Sequence, residues 1–212
     1  MNLTPLFEVQ RKLDDKIVQE KGLEGQDLLP EKVLALLVEL GELANEWRGF
    51  KFWSEGREAR TEYVCKFCEG SELVSTTAEF GNEEQGFDLY EVDVSCPVCD
   101  DVNTDKNPLL EEYVDCLHFI LSIGNDLQIT DYEVWTHADT HYVRHQFTEV
   151  FDSVTTLNLL INLNDKNIQV VYEVLVARFL ALGEMLGFTW KQITQAYMEK
   201  NRVNHERQAN GY

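Results

Sequence analysis

The stretch LLVELGELANEW, residues 36–47, decides the fold: wound at about 100° per residue, it reads as a helix whose carboxylates fall on one side. Val33, Leu36, Leu40, Leu43 and Trp47 form one apolar stripe, and Leu34, Leu37, Val38 and Ala44 cover much of the remainder. Glu39, Glu42 and Glu46 share a narrow strip beside Ala35. A helix apolar on nearly all sides is expected to be buried, so these glutamates do not read as a solvated face. The pattern returns in EEYVDCLHFILSIG, residues 111–124, where Glu112 and Asp115 stand three apart in another apolar helix. Two such helices can direct four carboxylates into one pocket. Held that close they repel, and each is costly to desolvate unless a cation lies among them. Mg²⁺ suits the role, being a hard cation that takes oxygen ligands and keeps waters for a phosphate substrate. One pair alone would read as a wet helix face; its recurrence in a second apolar helix argues for a site.

Working outward, apolar residues recur at helical spacing over 3–21, 30–47, 108–127, 132–151, 168–186 and 190–208. Pro30 and Pro108 suit a first helical turn, Gly187 follows a natural stop, and Thr189 can cap the last helix. The exception is 61–105, where SELVSTTAEF and FDLYEVDVSC alternate like short strands around the polar turn GNEEQG. The chain therefore reads as an all-α helical bundle, residues 1–60 and 106–212, carrying a small β-rich insertion over 61–105.

That insertion contains CKFC, with Cys65 and Cys68, and CPVC, with Cys96 and Cys99. Paired C-x-x-C units set four thiolates around one tetrahedral zinc, and four cysteines leave no open position, so the ion is structural. Disulfides are the competing reading, disfavoured by the cytoplasmic setting expected of a chain with no signal-like start and no apolar run long enough to span a bilayer. Cys116, inside an apolar helical run, reads as a buried side chain.

With 38 acidic and 18 basic residues the formal charge is -20, which argues against nucleic acid and anionic membranes as partners. The insertion shares the acidity, so a protein is the better partner for it. Against this background the C-terminal segment KNRVNHERQANGY, residues 200–212, stands out. On a helix Lys200, Asn204 and Arg207 fall at i, i+4 and i+7, a strip suited to phosphate oxygens.

ELGEL at 39–43 followed by EYVD at 112–115 resembles the E-x-x-E and E-x-x-D metal motifs of the all-α nucleoside triphosphate pyrophosphohydrolases, and within them the dimeric dUTPase family. VQRKLDD at 9–15, FKFW at 50–53 and the terminal segment, similar to the family's K-N-x-x-N-x-x-R-Q-x-x-G-Y, point the same way. The resemblance implies the all-α pyrophosphohydrolase fold, a homodimer, and hydrolysis of dUTP to dUMP and pyrophosphate by a metal-activated water at the α-phosphorus. It implies two or more Mg²⁺ ions held by Glu39, Glu42, Glu112 and Asp115, with Glu39, ahead of Glu42, as general base; Glu46 reads as an outer ligand only from its place on the same strip. Gln10 would read the pyrimidine edge, Phe52 or Trp53 would stack on the ring, and Lys51 would reach a phosphate. Asp14 departs from the asparagine that relatives often carry.

His137, His141 and His145 are spaced by four, but HADTH lacks the glutamate that follows the first histidine of a zincin, so they read as a helix face without a site. Two alternatives stand beside the main reading. One is a related enzyme preferring dCTP or other noncanonical nucleotides; the other is a zinc-ribbon interaction protein that has lost catalysis.

Overall fold

The structure, a computed structural model, describes residues 1–65, 67–82, 86–101 and 106–210. Residues 83–85 of the expected turn, and Gly211 and Tyr212 of the terminal signature, lie outside the described residues. The chain divides into two units, Met1–Ala59 with Leu109–Tyr212, and Arg60–Pro108.

The first unit is helical: α1 (Thr4–Lys21), α2 (Leu29–Trp47), α4 (Pro108–Asp126), α5 (Val143–Asn162), α6 (Ile168–Met185) and α7 (Trp190–Ala209). Local chemistry sets several of the boundaries. Pro5 and Pro30 occupy first-turn positions where no intrahelical N–H is needed. Thr189 caps α7 through a reciprocal capping box with Gln192, as the sequence suggested. Helix α5 packs along α6, α2 against α5, and α1 against α7.

The core gathers Leu36, Leu40 and Leu43 of α2, Leu117, Ile120 and Leu121 of α4, Val150, Val154 and Leu157 of α5, and Leu175, Phe179 and Leu182 of α6. Helices α4 and α6 approach closely through a reciprocal exchange of large and small residues. Tyr113 of α4 lies over Gly183 of α6, and Tyr172 of α6 lies over Gly124 of α4, so a Cβ at either glycine would collide with the ring. Tyr113 also stacks on Phe179 with 4.3 Å between ring centroids, and both buried hydroxyls are satisfied: Tyr113 donates to the Phe179 carbonyl, Tyr172 to that of Ile120.

The second unit contains β1 (Leu73–Asn82), β2 (Gly86–Ser95) and the short α3 (Pro97–Asp101). The strands pair antiparallel, from Leu73 opposite Ser95 to Asn82 opposite Gly86. A lone hairpin is marginal in water, so this unit depends on what is built at its cysteine end.

Two expectations are corrected. The helix expected over 132–151 does not exist in that register: the stretch up to Tyr142 is irregular, and α5 runs from Val143 to Asn162. Arg178 of α6 holds the irregular stretch, bonding Asp139 at 2.7 Å while the Ala177 carbonyl accepts from the His137 amide. His137 and His141 therefore precede α5, only His145 is on it, and no shared helix face exists. Secondly, α2 buries only the stripe of Val33, Leu36, Leu40 and Leu43; Leu34 is 63% exposed and Val38 51% exposed.

Candidate active site and thiolate centre

Three carboxylates meet where α2 faces α4. Glu39, Glu112 and Asp115 each place one oxygen within 4.8 Å of the others, and all three are half-buried. Burial, then the charges of Asp115 and Glu42, push the Glu39 carboxyl up to about 7 against the pull of Lys200. Glu112 is likewise pushed up to about 7, by burial, then by Asp115, Glu42 and Glu39. Asp115 is raised by burial against the attraction of Lys200. Glu42 is exposed and stands outside the tight set, though its charge reaches two of the three. Glu46 is half-buried one turn further along α2. Crowded, partly desolvated oxygen donors with raised affinities for a proton are the donor set that a hard divalent cation relieves, so these residues fit Mg²⁺.

Beside them opens a cavity of about 500 Å³, lined by side chains from α1, α2, α4 and α7. Glu39 and Asp115 form part of its wall, and Lys200, Asn204 and Arg207 of α7 form another part. The acidic helices and the cationic strip, far apart in sequence, thus border one space. Lys200 is engaged there, 2.6 Å from Asp115 and 3.1 Å from Glu111.

The cavity also contacts a buried polar network that the sequence reading missed apart from Gln10 and Asp14. Gln10 is 4% exposed, and its Oε1 accepts from Tyr197 Oη at 2.7 Å and from His118 Nδ1 at 2.6 Å. Its Nε2 donates to Asp14 at 2.8 Å, and Ser122 donates to the other Asp14 oxygen at 2.8 Å. Gln10 Oε1 thus has both lone-pair positions filled, and the amide retains one N–H to offer a ligand. Burial, followed by the charge of Lys200, lowers His118 to about 3, so it is neutral. Stacked 4.1 Å from the Tyr197 ring, it bears its proton on Nδ1, and Nε2 has no partner among the described residues. Asp14 is raised by burial, opposed by the Lys32 charge. One signal for His118 was available: it lies three residues after Asp115, the lone imidazole of an apolar helix. For Ser122 and Lys32 there was none.

Lys51, Phe52 and Trp53 are not brought to the cavity. Phe52 is 81% exposed and Trp53 65%, packed edge-to-face with each other on a loop braced by Arg48 bonded to the Gly56 carbonyl and Arg57 to that of Gly49. Lys51 lies over the Phe50 ring.

In the second unit the four expected cysteines come together. Cys65 and Cys96 place their sulfurs 3.9 Å apart, Cys68 and Cys99 3.4 Å apart, and all four close to within 4.8 Å. A tetrahedron with Zn–S bonds of about 2.3 Å has edges of about 3.8 Å, whereas a disulfide needs about 2.05 Å. The donor set therefore fits zinc. Although burial works against it, bonds from Cys99 and from the backbone at Gly70 and Glu72 hold the Cys68 thiol below its usual range. The cysteines lie at 8% exposure or less except Cys99.

No curated protein matches the chain. A family model described as dUTPase matches residues 2–67 and 77–212, nearly the whole sequence, and agrees with a helical unit that brings Glu39 and Asp115 to a cavity also lined by Lys200 and Arg207. The chain belongs to the dUTPase family, all-α in this branch, and is a dUTP diphosphatase.

Proposed function

We propose that the cavity binds dUTP with its phosphates toward Lys200, Asn204 and Arg207 and its base toward the polar network around Gln10. The observation that carries this reading is the single space bordered by Glu39 and Asp115 on one side and Lys200 and Arg207 on another. Glu39, Glu42, Glu112 and Asp115 would hold two or more Mg²⁺ ions. Bound there, Mg²⁺ would polarise the attacking water and neutralise charge on the phosphates. Glu39 takes the proton of a water attacking the α-phosphorus, the bridging bond from the α- to the β-phosphate breaks, and dUMP and pyrophosphate leave. Arg207 presents a planar fork to phosphate oxygens, and Lys200 a point charge. The Gln10 N–H that has no partner among the described residues suits a carbonyl of the uracil edge, since its oxygen is saturated from within the protein. The stacking role of Phe52 or Trp53 and the phosphate role of Lys51 rest on the resemblance alone.

Cys65, Cys68, Cys96 and Cys99 would bind one structural zinc, closing the end of the hairpin unit. A homodimer would cover the exposed flank of α2 at Leu34 and Val38. Among the described residues no helix is long and apolar enough to cross a membrane.

The test is pyrophosphate release from dUTP, dCTP and dTTP with and without Mg²⁺. Turnover greatest on dUTP and lost without Mg²⁺ is expected; preference for dCTP, or turnover that ignores the metal, overturns the corresponding part of the reading.

A further inference from the structure

The acidic site already contains a cation of its own. Lys200 Nζ lies 2.6 Å from Asp115 Oδ2 and 3.1 Å from Glu111 Oε1, with its side chain only 14% exposed. Asp115 belongs to the tight carboxylate set, while Glu111, one turn earlier on α4, does not. Lys200 therefore has two anchors of different kinds, one shared with the acidic cluster and one outside it.

An ammonium and a divalent ion cannot both sit against the same carboxylate without strong repulsion, because their separation would be only a few ångströms in a partly desolvated space. Either the lysine leaves Asp115 when the ion arrives, or the ion binds weakly. Resting on the reading of Glu39, Glu112 and Asp115 as the Mg²⁺ site, we infer that Lys200 is a built-in counter-cation for the empty cluster, and that Glu111 is the positioning residue that retains it when metal takes Asp115. Glu111 keeps the ammonium at the edge of the cavity, within reach of a phosphate, instead of letting it swing into solvent. The chain thus exchanges one cation for another at Asp115 and keeps the displaced one available for substrate.

Two consequences separate this from a general effect of charge. Lys200 and the divalent ion compete for one carboxylate, so Lys200→Met tightens metal binding. Glu111 acts through Lys200, so Glu111→Gln weakens metal binding only while the lysine is present, leaving Asp115 as its sole anchor. Simple addition of fields would make the Glu111→Gln effect the same with or without Lys200.

The experiment is a Mn²⁺ titration followed by electron paramagnetic resonance on the full chain without nucleotide, for wild type, Lys200→Met, Glu111→Gln and the double variant, with circular dichroism to check folding. Tightening of about 10-fold in Lys200→Met, weakening of about 5-fold or more in Glu111→Gln, and less than about 2-fold further change on adding Glu111→Gln to Lys200→Met are expected, within the usual range of coupling between sites. Lys200→Arg, which preserves the ion pair, should stay near wild type. Lys200→Gln takes the place of Lys200→Met if that variant does not fold. Unchanged or weaker Mn²⁺ binding without the lysine, or equal Glu111→Gln effects in both backgrounds, overturns the inference while leaving the metal site intact. A wild-type chain that binds no Mn²⁺ overturns the metal reading and this inference with it.

Discussion

Replacing Glu39 by glutamine should stabilise the metal-free protein at the same time as it disables the enzyme. In the folded, metal-free chain the Glu39 carboxyl is pushed from 4.5 up to about 7, by burial first and then by Asp115 and Glu42. An unfolded chain lets it ionise near its ordinary value, so the contribution of this group to stability is full below about pH 4.5 and is lost as pH rises through about 7. The gap is about 2.5 pH units, worth at most ~3.4 kcal/mol at about 1.36 kcal/mol per unit. Because Glu39 is only half-buried, solvent screening reduces this to roughly 1.5 kcal/mol. For a chain of this size that corresponds to a Tm rise of about 3 to 6 °C in the glutamine variant near pH 8. Thermal melts followed by circular dichroism in magnesium-free buffer would measure it, with the advantage shrinking near pH 5, where the wild-type carboxyl is already protonated. Adding Mg²⁺ should stabilise wild type more than the variant, and turnover of the variant should fall by at least about 100-fold. A variant no more stable than wild type near pH 8, or an advantage of the same size near pH 5, would refute the claim that Glu39 is held in an electrostatically crowded site.

Three further outcomes are expected. Metal analysis should find about one zinc per chain, lost in Cys65→Ser or Cys96→Ser, because three thiolates hold a structural ion less tightly than four; a zinc-free, fully folded insertion would rule the centre out. Arg207→Ala should weaken dUTP binding by about 1.5 to 3 kcal/mol in calorimetry, the range of a hydrogen bond to a charged group, and unchanged affinity would remove Arg207 from the site. Thr189→Ala breaks the capping box of α7 and should cost about 1 kcal/mol of stability, read as a lowered denaturation midpoint; no change would mean that the helix start is held by packing alone.

The parts legible in the sequence were those carried by local periodicity or short motifs. Five of the long helices, the hairpin, the Thr189 cap, the carboxylates Glu39, Glu112 and Asp115 that come together, and the C-x-x-C units all have signals confined to a few turns of chain. The shifted start of α5 was not legible, because Tyr132, Val134 and Trp135 mimic helical spacing while Arg178 of α6, a residue distant in sequence, fixes the segment as irregular. Gln10 was found by resemblance, but its capture by Tyr197 and His118 joins residues more than a hundred positions apart. The two exposed large hydrophobic residues of α2, Leu34 and Val38, looked buried because composition reports how apolar a face is and not whether anything in the same chain packs on it.

The cavity borrows its walls from the first and the last helices of the chain, and Lys16 of α1 is tied to the His205 carbonyl of α7. Synthesis on the ribosome runs in one direction, so α2 and α4 emerge with their carboxylates long before the segment that balances their charge. A growing polypeptide can assemble the acidic part of the cavity wall before the cationic strip of α7 exists. Incomplete products, whether stalled in translation or clipped before α7, therefore carry the crowded carboxylates without Lys200, the cation that pairs with Asp115.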